Sequence, residues 1–168
     1  MKNIFLIGMP SSGKSTLGKR IAKALHYRFV DTDKLIVRNE NRSIATIFAQ
    51  SGEAYFREAE CRVLRTIRPG NSLVVSTGGG MPCFHDNMAY INATGVSVFL
   101  DVPVDVLVRR MVAHAQEDRP LYSPNDPELL KSLQQRYVSR LPFYSQAHII
   151  VHGETSADDV LRQLGEWL

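Results

Sequence analysis

Two cysteines, Cys61 and Cys83, are all that the 168-residue sequence holds, and no C-x-x-C pair occurs. That spacing argues against a zinc finger and a dithiol redox centre, and so scarce a supply against a disulfide scaffold; two free thiols in a reducing compartment are expected. No stretch approaches the ~20 apolar residues of a membrane-spanning helix, so no membrane partner is expected. Charge of one sign is not concentrated either. Lys and Arg exceed Asp and Glu by only 20 to 17, and the basic residues are dispersed rather than clustered with aromatics, so no nucleic-acid partner is expected. The mild surplus suits anionic small molecules. An Asn-Lys-x-Asp guanine reader is missing, which argues against a GTPase switch. The N-terminal residues Met1-Lys2-Asn3-Ile4-Phe5-Leu6 lack the architecture of a signal peptide, and a cytoplasmic location is expected.

What is present is a regular alternation. Short apolar runs at 3–7, 28–30, 72–76, 96–100 and 149–151 read as buried strands. Between them lie helical patterns over 15–25, 34–40, 44–50, 53–66, 85–92, 103–114 and 127–140, and a final helix begins at Ser156, where Ser156 and Asp159 form a capping-box pattern. Strands alternating with helices predict an α/β fold, a three-layer α/β/α sandwich over a parallel sheet with right-handed crossovers. No repeat or low-complexity linker interrupts residues 1–168, and one domain is expected.

The run Gly8-Met9-Pro10-Ser11-Ser12-Gly13-Lys14-Ser15 is G-x-x-x-x-G-K-[ST], preceded by a strand and followed by a helix as that motif requires. Gly8 and Gly13 let the backbone wrap around phosphate oxygens, and the amides of Ser11 and Ser12 with the positive end of the following helix make an anion site. Lys14 is expected to neutralise the β/γ-phosphates, Ser15 to ligate Mg²⁺ and Thr16 to touch the nearer phosphates of a nucleoside triphosphate. The motif, here residues 8–16, leaves the acceptor unnamed.

Further signals follow in order along the chain. Val30-Asp31-Thr32-Asp33 reads as a strand end with its two carboxylates at i and i+2 on one face, one for the Mg²⁺ shell and one for an incoming alcohol; the plain alternative is a solvated strand end with Asp33 capping a helix. Arg57, with Glu60 at i+3, is either a carboxylate clamp or a surface ion pair. Gly78-Gly79-Gly80 after a strand exposes amides and leaves room for a substrate. Arg119 sits in the polar, proline-punctuated loop of about 114–126, expected to be a mobile lid that closes over the transferring phosphate. Arg140 is a second anion clamp or a helix-end residue favoured by the macrodipole.

Taken together as G-x-x-x-x-G-K-S-T, D-T-D, F-R-x-x-E, G-G-G, R-P-L and R-x-P-x-Y, the chain resembles shikimate kinase from end to end. The resemblance implies a nucleoside-monophosphate-kinase-like sandwich with five parallel strands, acting on ATP and shikimate with Mg²⁺. It implies Asp31 supporting Mg²⁺ through water and Asp33 as the base on the ring hydroxyls, with the acceptor region at about 33–60. It further implies Arg57, Gly78, Gly79, Gly80 and Arg140 on shikimate, Arg119 as the lid arginine, and Arg110 stacked on adenine. The product would be shikimate 3-phosphate, on the route to chorismate and aromatic amino acids, and a monomer is expected. Two features depart from the family pattern: a slightly longer stretch between Arg110 and Arg119, and no arginine in His152-Gly153-Glu154-Thr155-Ser156. A gluconate-type kinase remains the alternative.

Overall fold

The structure, a computed structural model, describes residues 1–114 and 126–168. Five strands, β1 (Asn3–Ile7), β2 (Arg28–Asp31), β3 (Leu73–Ser76), β4 (Gly95–Asp101) and β5 (Ile149–His152), pair in parallel in the order β2-β3-β1-β4-β5. The inner strands β1 and β3 are buried throughout, and β4 almost so. Both faces are covered by helices, so these strands read as unbroken apolar runs rather than as alternations. The edge strand β5 alternates buried and exposed residues.

The helices are α1 (Lys14–Leu25), α2 (Thr32–Glu40), α3 (Ile44–Thr66), α4 (Asn87–Thr94), α5 (Val104–Ala113), α6 (Leu129–Tyr144) and α7 (Ala157–Leu164), with a short 3₁₀ turn at Met81–Cys83. On one face, Ile4 and Leu6 pack under Leu17 and Ile21 of α1 and Val160 and Leu164 of α7. On the other, Phe5 and Ile7 pack with Leu107 of α5 and Leu133 and Tyr144 of α6. A third cluster, Ile36, Ile47, Phe56 and Val63 among its members, joins α2 to α3. β1 sends its helix to one face, whereas its neighbours β3 and β4 are followed by elements on the other. That leaves a crevice above the C-terminal end of β1, where such sheets bind ligands.

Three expectations needed adjustment. The two helical stretches at 44–50 and 53–66 form one run bent at Gly52, whose φ of 83° and ψ of 171° are non-helical. The helix expected over 85–92 begins at Asn87, after the 3₁₀ turn. The helix expected to end at Arg140 continues through Pro142 to Tyr144; proline costs it the bond to the carbonyl of Val138, a residue on its exposed side. The Ser156–Asp159 capping box is formed in both directions. Among the described residues no helix is long and apolar enough to cross a membrane. The expected lid lies, but for its end residues, outside the described residues, and Arg119 lies outside them.

Candidate active site

The loop after β1 turns on two glycines in conformations that side chains resist, Gly8 at φ 145° and Gly13 at φ 97°. Gly13 precedes α1 with no side-chain cap, so among the described residues no side chain competes for the helix's first amides, the usual anchor of an anion at a helix start. Lys14 is nearly buried, at 8% exposure. Its ammonium donates to the carbonyls of Gly8 and Met9, both at 2.8 Å, and to Ser12 Oγ at 3.4 Å. The cation is therefore fixed over the mouth of the loop by the loop itself. Arg110, on α5, donates to the Ser11 carbonyl at 3.0 Å and pairs with Glu154 at 3.2 Å, and so braces the loop from the β5 side.

A hydroxyl and a carboxylate meet beside it. Ser15 Oγ lies 3.4 Å from Asp31 Oδ2 and 3.3 Å from Ser76 Oγ. The other oxygen of Asp31 accepts from the amides of Asp33 at 3.0 Å and Lys34 at 3.3 Å, which makes Asp31 the N-cap of α2. This corrects the expectation of two carboxylates on one strand face. Asp31 is the last strand residue, Asp33 already lies in the first turn of α2, and Asp31 rather than Asp33 is the cap. The two diverge because the chain switches from extended to helical between them. Among the described residues no cluster of three or more His, Cys, Asp or Glu stands ready as a metal cage. A hydroxyl with one half-used carboxylate fits Mg²⁺, which takes few protein ligands and completes its shell with water and phosphate oxygens.

The glycine turn explains the other half of the cleft. A Cβ on Gly78 would sit 2.8 Å from both Asp33 Oδ1 and Glu60 Oε2; on Gly79, 3.0 Å from Arg140 Nη1 and from Pro10; on Gly80, 2.4 Å from Arg57 Nη1. Each glycine is thus a socket for a charged side chain. Thr32, fully buried, accepts from the Gly78 amide at 3.0 Å and donates to the Ser76 carbonyl at 3.3 Å, which ties the turn to the start of α2. Among the described residues the amides of Gly79 and Gly80 make no hydrogen bond.

Arg57 and Arg140 are 4% and 5% exposed, so neither is a surface residue. Arg57 donates to Glu60 at 2.7 Å and to Glu53 at 3.0 Å, and it lies over the Phe84 ring at 4.4 Å. Glu60 Oε2 is buried without a hydrogen-bond partner among the described residues. Burial pushes the Glu60 carboxyl up to about 7, against the pull of Arg57. A carboxyl raised in the folded state contributes stability that is fully present below its unfolded value and is lost as pH rises through its folded one. The melting temperature of the wild type minus that of Glu60→Gln should therefore fall between pH 4.5 and about 7 and level off above. Paired thermal melts across that window check it, and a difference that grows with pH would mean that the Arg57 pairing outweighs burial.

These groups line one cleft of ≈1040 Å³. Lys14, Ser15 and Thr16 lie along its floor, and Leu100, Val102 and Arg110 lie with Gly153 and Thr155 at one end. Arg57, Glu60, Asp33 and Arg140 lie at the other, against an apolar wall that includes Phe48 and Phe56, whose rings pack 4.9 Å apart. Sequence reasoning passed over Thr32, Ser76, Phe48 and Phe56 as site residues. Their signal is tertiary, apart from the position of Thr32 between two aspartates.

The family model described as shikimate kinase matches residues 10–168. The shikimate kinase of Clostridium botulinum (strain 657 / Type Ba4) is 41% identical over 99% of this chain and 98% of its own length. That of Bacteroides thetaiotaomicron is 40% identical over 94% of this chain and 90% of its own. Among solved structures, the shikimate kinase from Acinetobacter baumannii in complex with shikimate superposes with a TM-score of 0.89 at 29% identity, covering 99% of this chain and 92% of that one. A sugar kinase from Janibacter sp. HTCC2649 shares the fold, with a TM-score of 0.64 at 17% identity. A triphosphate loop, a socketed pair of arginines and a full-length match at about two residues in five leave one reading of descent: the chain belongs to the shikimate kinase family.

Proposed function

We propose that the protein transfers the γ-phosphoryl group of ATP to the 3-hydroxyl of shikimate, giving ADP and shikimate 3-phosphate on the route to chorismate and the aromatic amino acids. The observation that carries the acceptor is the glycine turn, whose three sockets gather two guanidinium groups and the Asp33 carboxylate at one end of the triphosphate cleft. Shikimate presents a carboxylate and ring hydroxyls. Arg57 and Arg140 serve the first with charge-assisted hydrogen bonds, and the amides of Gly79 and Gly80, unpaired among the described residues, add to them. Asp33 orients a hydroxyl and accepts its proton. The apolar Phe48 and Phe56 pair suits the carbon skeleton of a cyclohexene ring better than an open polyol, which favours shikimate over gluconate.

Phosphoryl transfer needs positioning and charge neutralisation more than covalent chemistry. Mg²⁺ would be held by the Ser15 hydroxyl with support from the Asp31 carboxylate, and would supply charge neutralisation on the phosphates when bound. Lys14 offsets charge on the transferring group, and the amides of residues 13–16 hold the phosphates in line, whereas the Ser12 amide is turned to the Met9 carbonyl at 3.2 Å. Arg119 takes the lid role the sequence suggests, and Arg110, locked between Ser11 and Glu154, flanks the base. The protein works as a monomer in the cytoplasm. A phosphorylation screen over shikimate, gluconate and nucleoside monophosphates tests the substrate: turnover of shikimate alone is expected, and preferential turnover of gluconate would overturn the reading.

Gly80→Ala gives a sharp check on the sockets. Gly80 has φ −89° and ψ −11°, a backbone that alanine adopts freely. The new methyl would stand where the Arg57 guanidinium is. The shikimate KM should rise by about tenfold to a hundredfold, the usual effect of displacing a positioning group by about an ångström, with the Mg·ATP KM little changed and a lower melting temperature, because the methyl disturbs the buried Arg57–Glu60 pair. Steady-state kinetics with each substrate varied in turn measures this.

A further inference from the structure

Tyr144 has no part in the mechanism described so far, yet its surroundings are those of a working group. It is fully buried, and its ring packs on Phe99 at 4.9 Å. Its hydroxyl donates to the carbonyl of Gly79 and lies 3.8 Å from the sulfur of Met9 in the phosphate loop. Arg140, one turn earlier on α6, approaches the same sulfur at 3.9 Å and packs against Gly79. A buried phenol keeps its hydroxyl only where it finds a partner. Here that partner is the backbone of the turn that houses Arg140, Asp33 and Arg57.

The peptide joining Gly79 to Gly80 is planar and trans, so its carbonyl and its N–H point in opposite directions. Holding the Gly79 carbonyl toward α6 therefore aims the Gly80 N–H away from α6. That amide has no protein partner among the described residues, and Gly80 lines the cleft. At the near end of the turn, Thr32 fixes the Gly78 amide. The turn is thus pinned at two points, its Gly78 amide by Thr32 and its Gly79 carbonyl by Tyr144.

We infer that Tyr144 is a positioning residue for the acceptor: its hydroxyl locks the Gly79–Gly80 peptide so that the turn amides and the Arg140 guanidinium meet the substrate's carboxylate end as one rigid unit. The inference rests on the proposed shikimate-binding role of this end of the cleft. It predicts a loss confined to the acceptor. Tyr144 also touches the phosphate loop, but through the weakly accepting Met9 sulfur at 3.8 Å, and that loop keeps its own bonds from Lys14 and Arg110.

The test compares the wild type with Tyr144→Phe, which keeps the ring and loses the hydroxyl, and with Phe99→Leu, which disturbs the same packing and leaves the hydroxyl in place. Three quantities are read: the melting temperature, the KM for each substrate, and ligand-free amide exchange. Tyr144→Phe should raise the shikimate KM about tenfold, the scale of one well-placed hydrogen bond, and leave the Mg·ATP KM within about twofold. Without ligand, the Met81 and Cys83 amides, which bond across the turn to Gly78 and Gly80, should exchange faster, and those of β3 should not. Phe99→Leu should melt at least as early while keeping the shikimate KM within about twofold of wild type. The inference fails if both KM values rise together in Tyr144→Phe, if Phe99→Leu reproduces the shikimate effect, or if turn protection is unchanged. A wild type inert toward shikimate, with the turn loosened as expected in Tyr144→Phe, would overturn the substrate reading and leave the pinning of the turn intact.

Discussion

Lys14→Ala should lower kcat by about three orders of magnitude or more, the scale seen when a preorganised charge contact to a transition state is removed. The structure gives the reason and adds a consequence. The ammonium is held by the Gly8 and Met9 carbonyls and by Ser12, so it meets the phosphates already desolvated and already placed, and no reorganisation is needed as charge shifts during transfer. The same bonds mean that alanine strips the Gly8 carbonyl of its donor and leaves the Met9 carbonyl with the Ser12 amide at 3.2 Å. From the sequence alone the substitution is expected to leave the fold near intact; with Lys14 at 8% exposure, a modest fall in melting temperature should accompany the kinetic loss. Single-turnover kinetics at saturating substrates separates the two effects, because a folded fraction that still transfers phosphate at the wild-type rate would remove Lys14 from the mechanism.

Asp33→Asn should lower kcat by about two to four orders of magnitude, the range for a lost general base, with Mg·ATP affinity nearly unchanged. Asparagine keeps the shape of the side chain in its socket against Gly78. What it removes is the negative charge that draws the hydroxyl proton. The separation of Asp33 from the metal corner supports this split. Asp31, not Asp33, faces Ser15, so loss of the Asp33 charge leaves the hydroxyl and carboxylate of that corner as they were. Titration of Mg·ATP into the variant, beside its kcat, checks the prediction. Equal weakening of both would move Asp33 into the metal shell and the base role elsewhere.

Much of this arrangement was legible in the sequence wherever the signal is local. The phosphate loop declares itself because close wrapping of backbone around anions needs glycines at fixed offsets, and Gly8 and Gly13 supply them. The parallel sheet follows from five unbroken apolar runs, and the final helix from the Ser156–Asp159 box. The pairing of Arg57 with Glu60 follows from helical spacing alone. What was misread is conformational. Val-Asp-Thr-Asp looks the same whether the chain stays extended or turns into a helix, and only the contacts of Asp31 with the amides of Asp33 and Lys34 decide it. Pro142 looks like a stop, yet α6 passes it, because packing of Tyr144 against Phe99 holds a turn that local propensity would give up. The sockets are least legible of all. That Gly80 exists to admit Arg57, 23 residues earlier in the chain, is a fact of the folded backbone and not of any spacing.

The central claim, that this cleft phosphorylates shikimate at its 3-hydroxyl, is tested most directly by following ADP release from Mg·ATP with and without shikimate and reading the product by proton–phosphorus correlation. The account predicts ADP release that depends on shikimate and a single product whose phosphorus couples to the ring proton at C3. ADP release indifferent to shikimate, or a phosphate found on another hydroxyl, would contradict it.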